Sequence, residues 1–103
     1  MRTLLMEWCH KHDAINRSQI LFWECFEAYK DEEPLEFAEV FPTERAGVVP
    51  LFDKAVYELS IPNYEQEFVS VYIRIIYSER EIGWFKHEYM MDGEDFDAHF
   101  VID

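Results

Sequence analysis

Residues 83–102 read Gly-Trp-Phe-Lys-His-Glu-Tyr-Met-Met-Asp-Gly-Glu-Asp-Phe-Asp-Ala-His-Phe-Val-Ile, and this stretch decides the fold. Side chains alternate on both sides of Asp92-Gly93, the period of two that marks strands pleated over a core. Asp-Gly between such runs predicts a two-residue type I′ hairpin, because that turn needs positive φ at both central positions. The register that follows sets Met91 opposite Glu94, Tyr89 opposite Phe96, His87 opposite Ala98 and Phe85 opposite Phe100. The face carrying those aromatics with His87 and Ala98 is then the core face. The other face shows Lys86 opposite His99, Glu88 opposite Asp97 and Met90 opposite Asp95.

Working back from the hairpin, Phe68–Tyr77 is the longest alternating run, with Val69, Val71, Ile73 and Ile75 on one face. For that face to join Phe85 and Tyr89, the connection at 78–82 must be odd in length, since a one-residue slip turns a strand over. A shorter run at 55–61 ends in a turn signal, Pro62-Asn63. Nearer the N-terminus the period lengthens. Leu4, Leu5, Trp8, Cys9 and His12 share one stripe, predicting a helix over 3–12. A second helix is predicted over 17–32, with Asn16 and Gln19 resembling a capping box. That helix is apolar around most of its circumference (Ile20, Leu21, Phe22, Trp23, Cys25, Phe26, Ala28, Tyr29) and needs cover on two sides. The first helix and the sheet would supply it, or a second copy of the chain. Pro34 ends this helix or opens a short one at Leu35–Val40, and 43–54 reads as a loop. The prediction is one α+β domain over 1–103. Two N-terminal helices pack on one face of a four-stranded antiparallel β-meander, with strands near 55–61, 68–77, 83–91 and 95–102.

The 103 residues hold 22 Asp+Glu against 9 Lys+Arg, a formal charge of −13. Within residues 1–30 the acids Glu7, Asp13, Glu24 and Glu27 balance Arg2, Lys11, Arg17 and Lys30, so the excess falls on the rest of the chain. Half of the residues are hydrophobic and 17% are aromatic, which excludes a disordered acidic tail. Two cysteines without a spacing motif argue against a disulfide scaffold. The start of the chain is not expected to be a signal peptide, and no apolar run approaches the roughly 20 residues of a membrane helix. A soluble protein of a reducing, cytoplasmic compartment is expected. Carboxylates in this number repel nucleic-acid phosphate and anionic lipid, so neither is expected as a direct partner. Three isolated glycines make no phosphate loop, and there is no His-Glu-x-x-His pair.

Glu88, Asp97, Asp95 and Glu94 cluster on the outer face of the hairpin. Like charges directly opposite one another destabilise a sheet, which hints at a cationic partner; the plain alternative is a solvated face beside Lys86 and His99. A calcium reading of 92–97 lacks the ligand spacing of an EF-hand loop. Asp31, Glu32, Glu33, Glu36 and Glu39 form a second block, either solubilising or matched to a basic partner whose approach it steers. Trp84, with Tyr72 and Val101, offers an aromatic anchor unless 43–54 covers it. Cys9, His12 and Cys25 invite a zinc reading, though without the tight knuckle such sites use. His87 on the core face would need a nucleophile or carboxylate within reach to act as a base, and the sequence identifies none.

These features point to a protein-binding inhibitor with no cofactor, metal or catalytic residue, of the toxin-neutralising immunity or phage anti-defence type. Its partner would be a basic toxin, nuclease or defence enzyme. The candidate contact residues are Glu33, Glu36, Glu39, Trp84, Glu88, Asp95 and Asp97. The alternatives are a metal or small-ligand pocket near His87, Cys9 and His12, and a homodimer through the second helix.

Overall fold

In the computed structural model, which describes residues 2–61 and 66–103, three helices cover one face of a four-stranded antiparallel sheet. The elements are α1 (Arg2–Lys11), α2 (Ala14–Glu32), α3 (Pro34–Val40), β1 (Val48–Leu59), β2 (Glu67–Tyr77), β3 (Arg80–Met90) and β4 (Asp95–Ile102). Sheet order follows chain order, so the α+β meander expected from the sequence is the fold. Its first strand is longer than expected and begins at Val48, which makes sheet of much of the predicted 43–54 loop. Pro50 and a β-bulge between Phe52 and Lys54 hide the alternation there. Proline is tolerated because β1 is an edge strand. The Pro62-Asn63 turn lies outside the described residues.

Asp13 adopts a left-handed conformation, φ 50°, that lets α2 start at Ala14 directly after α1. The capping box expected at Asn16 is therefore not formed; Asn16 sits inside the helix and its Nδ2 donates to Asp13 Oδ2 at 3.2 Å. Ala14, Ser18, Phe22 and Phe26 recur every fourth residue and form the buried stripe of α2 against the sheet. Phe22 and Phe26 join Phe37, Phe41, Ile73, Ile75 and Phe85 in the main core. The second cover of α2 comes largely from α3, whose Phe37 ring lies 5.1 Å from Phe26 and 5.7 Å from Tyr29. Arg45 places its guanidinium 4.0 Å from the Trp23 ring on the same helix. At the far end, α1 closes a smaller cluster of Cys9, Ala14, Val71 and Tyr89.

Two further bulges decide which side chains face the helices. Ser78 and Glu79 both have positive φ, 51° and 67°, and join Tyr77 to Arg80 in a two-residue turn. Alone, that even loop would turn β3 over. Ile82 is the extra residue that restores parity: Ile76 pairs with Glu81 but Ile75 with Gly83, so Ile73 meets Phe85 and Val69 meets Tyr89. The last hairpin keeps the expected register from Phe85↔Phe100 to Glu88↔Asp97 and then departs from it, because Tyr89 pairs with Asp95. Met90 N–H donates to Glu94 O at 2.8 Å, closing a three-residue loop in which Gly93, at φ 93°, takes the left-handed position. The predicted type I′ turn at Asp92-Gly93 is thus corrected, and so are two faces. Phe96 leaves the core face and packs on Phe68 at 4.6 Å. Asp95 swings to the helix side.

Candidate functional site

Asp95 shows what the shifted register achieves. Its Oδ1 accepts from Arg17 Nη2 at 3.0 Å and lies 2.7 Å from His87 Nε2. Across the ring, His87 Nδ1 is 3.0 Å from Ser18 Oγ, which is itself 2.7 Å from the Tyr89 hydroxyl. Tyr89 also donates to the Ala14 carbonyl at 2.8 Å. With the imidazole proton on Nε2 facing Asp95, Nδ1 accepts from Ser18 and Tyr89 shares its proton between Ser18 and Ala14. Burial pushes the His87 pKa down; Asp95 opposes this and Arg17 adds to it. Ser18 is wholly buried and bonded from both sides, so this serine–histidine–aspartate line is a brace between α2 and the hairpin, with its serine closed to any substrate. The sequence hid it because the hydroxyl comes from a helix 69 residues away from His87. A cleft of about 190 Å³ bounded by Arg17, Glu24, His87 and Asp95 opens over it.

The outer sheet face carries both charges. Lys86 Nζ stands 3.5 Å from both Glu58 Oε1 and Glu88 Oε2. Burial opposes its charge, but Glu88 and Glu58 outweigh that and hold its pKa above the ordinary value. Glu88, only 9% exposed, also accepts from His99 Nε2 at 2.9 Å, and Asp97 Oδ2 lies 3.5 Å from the same nitrogen. Trp84 is 37% exposed beside Tyr72, over whose ring Lys54 and Lys86 also sit. The seven candidate contact residues therefore divide three ways. Trp84, Glu88 and Asp97 share a mixed-charge outer face. Asp95 is bound to Arg17 and His87 on the helix side. Glu33, Glu36 and Glu39 stand apart on α3 and its N-cap.

That third group is the freest. Pro34 at the first turn of α3 sends Phe37 inward and leaves Glu33, Glu36 and Glu39 exposed. Their carboxylates converge on Tyr29: burial first, then Glu36, Glu33 and Glu39, push its hydroxyl pKa up. Glu36 is the carboxylate within reach of that hydroxyl, at a geometry too poor for a full hydrogen bond, and among the described residues none of the three carboxylates has an ion-pair partner. Lys30 is engaged with Glu44 at 3.0 Å. Beside them runs a groove of about 410 Å³ whose lining includes Pro34, Ala38 and Pro42, with Asp31 and the Lys30–Glu44 pair also bordering it. Leu35 projects next to it, 84% exposed.

Cys9, His12 and Cys25 do not converge on a common point; among the described residues the one grouping with ligand spacing is Glu88, Asp97 and His99. Burial pushes both thiols up, away from the thiolate that metals and electrophiles require. His12 packs at a tilt against Trp8, ring centroids 4.6 Å apart, and Trp8 Nε1 donates to the Met91 carbonyl at 2.9 Å, so this corner fastens α1 to the hairpin turn. No helix among the described residues is long and apolar enough to cross a membrane. No family model, curated protein or solved structure matches this chain.

Proposed function

We propose that this chain is a small acidic protein-binding inhibitor, of the immunity or anti-defence kind, that docks a basic partner on α3 and the end of α2. One observation carries the reading. On the last hairpin, Asp95, Glu88 and Asp97 have cationic or imidazole partners in Arg17, His87, Lys86 and His99, whereas Asp92 and Glu94 at its turn have no ion pair among the described residues. Glu33, Glu36 and Glu39 are exposed, without an ion pair among the described residues, and lie near enough to Tyr29 to raise its pKa, Glu36 most of the three. The contact surface expected on the hairpin therefore moves to the helical end, and Leu35 replaces Trp84 as its apolar anchor.

The chemistry suits a cationic side chain. An arginine or lysine stem lies along Pro34, Ala38 and Pro42 while its charge meets Asp31 on the rim, where Glu44 is already held by Lys30. Surrounding negative charge speeds encounter, and the buried apolar contact slows release. A basic cleft built for nucleic-acid phosphate presents matching groups.

The test is a titration of isotope-labelled protein with an arginine-rich peptide, followed by amide chemical shifts at low and physiological salt. The reading requires saturable shifts centred on residues 29–42 that weaken with salt. Shifts centred on the hairpin, or no saturation at either salt, would remove it. Glu36→Lys with Glu39→Lys should abolish the low-salt binding without unfolding the protein, since both side chains are exposed.

A further inference from the structure

The outer hairpin face carries a second constellation, independent of the partner surface on α3. Glu88 on β3 is the cross-strand partner of Asp97 on β4, and His99 lies two residues further along β4 on the same face. His99 Nε2 is 2.9 Å from Glu88 Oε1 and 3.5 Å from Asp97 Oδ2, and all three donor atoms lie within 4.8 Å of one another. Tetrahedral ligands bonded at roughly 2.1 Å stand about 3.4 Å apart. We propose that Glu88, Asp97 and His99 form a binding site for a divalent transition ion, with zinc as the fitting representative.

Two further features of the face support an ion there. Glu88, its side chain 12% exposed, is the cross-strand partner of another carboxylate, an arrangement that costs stability and that Lys86 and His99 offset only from the sides. Lys86 answers only in part, because it reaches the opposite oxygen of Glu88 and divides itself with Glu58. Next to Glu88 in the same cross-strand row, Ser70 is wholly buried, and its hydroxyl has no hydrogen-bond partner among the described residues. Lys86 engages Oε2 of Glu88, leaving Oε1, the oxygen nearest His99, for the metal; such outer contacts orient a ligating carboxylate. The imidazole selects a transition ion over magnesium or calcium, which prefer oxygen alone. Both ligand-bearing strands are rigid sheet, and the coordination left open toward solvent is available to water or to a partner's side chain.

The experiment is calorimetric titration of zinc chloride into the reduced, chelator-stripped protein. One saturable equivalent is expected, with His99→Ala and Asp97→Asn each weakening it at least about tenfold and magnesium giving no such binding. Cys9→Ser and His12→Asn should leave it unchanged. Binding that is absent, that survives His99→Ala, or that disappears with Cys9→Ser overturns the proposal. In the unsubstituted protein, zinc should move the His99 Nε2 resonance and leave those of His10, His12 and His87 in place. Movement at any of those three instead refutes the site without relying on a variant that must fold. None of these outcomes depends on the arginine-peptide surface at α3, so the two readings fail separately.

Discussion

Tyr89 concentrates four contacts in one side chain. Its hydroxyl joins Ser18 and Ala14, its ring stacks on His87 at 3.9 Å, and Arg17 lies over it at 4.8 Å. Burial pushes its pKa up to about 12, against partial opposition from the Arg17 charge. The unfolded chain releases this proton near pH 10 and the folded one holds it, so the folded state loses ground as pH rises between those values. The expected loss is about 1.4 kcal/mol per pH unit from this group. Denaturant unfolding from pH 9 to 12 should show a shallower decline in Tyr89→Phe than in the unsubstituted protein; equal slopes would contradict the assignment. Gly93 is constrained by both its backbone and its neighbour. Its φ of 93° is left-handed, and an added Cβ would fall 2.1 Å from His12 Nδ1. Gly93→Ala should destabilise by at least about 1–2 kcal/mol from backbone strain alone, read as a lowered urea midpoint. It should also disturb the His12 resonances.

Among the elements, the turns and bulges of the sheet fix what each strand presents. Parity was legible: an odd connection between β2 and β3 is what the apolar faces demand, and a two-residue turn plus bulged Ile82 provides it. The turn chemistry was not, because the left-handed positions fall on Ser78 and Glu79, residues that carry no turn signal. The Asp92-Gly93 signal instead belongs to a three-residue loop. Ser78→Asn with Glu79→Gly should therefore relieve strain and stabilise the protein by about 0.5–1 kcal/mol. A thermal melt checks it, and an unchanged or lower midpoint would count against the turn. The bulge at Phe96 has the larger consequence, since moving one phenylalanine out of the core face gives Asp95 to Arg17 and His87.

At the scale of the whole molecule, a formal charge of −13 is only partly answered by internal pairs, and self-repulsion opposes the compact state. Screening acts over roughly 8–10 Å at physiological ionic strength. The urea midpoint should accordingly rise with sodium chloride, and a midpoint that falls would mean that the ion pairs of the outer face outweigh the repulsion at the helical end. Local information settled a good part of this protein. Period-two and helical stripes gave the helices and most of the sheet, because burying an apolar face requires that spacing whatever surrounds it. The acidic excess beyond residue 30 and the exposure of Glu33, Glu36 and Glu39 also follow from the chain, since short charged stretches beside a proline have nowhere to bury. Tertiary structure alone decided which carboxylates are free. Asp95 meets Arg17 across 78 positions and Ser18 meets His87 across 69. Such pairings depend on how α2 crosses the sheet and on a one-residue bulge, neither of which leaves a periodic trace in the sequence.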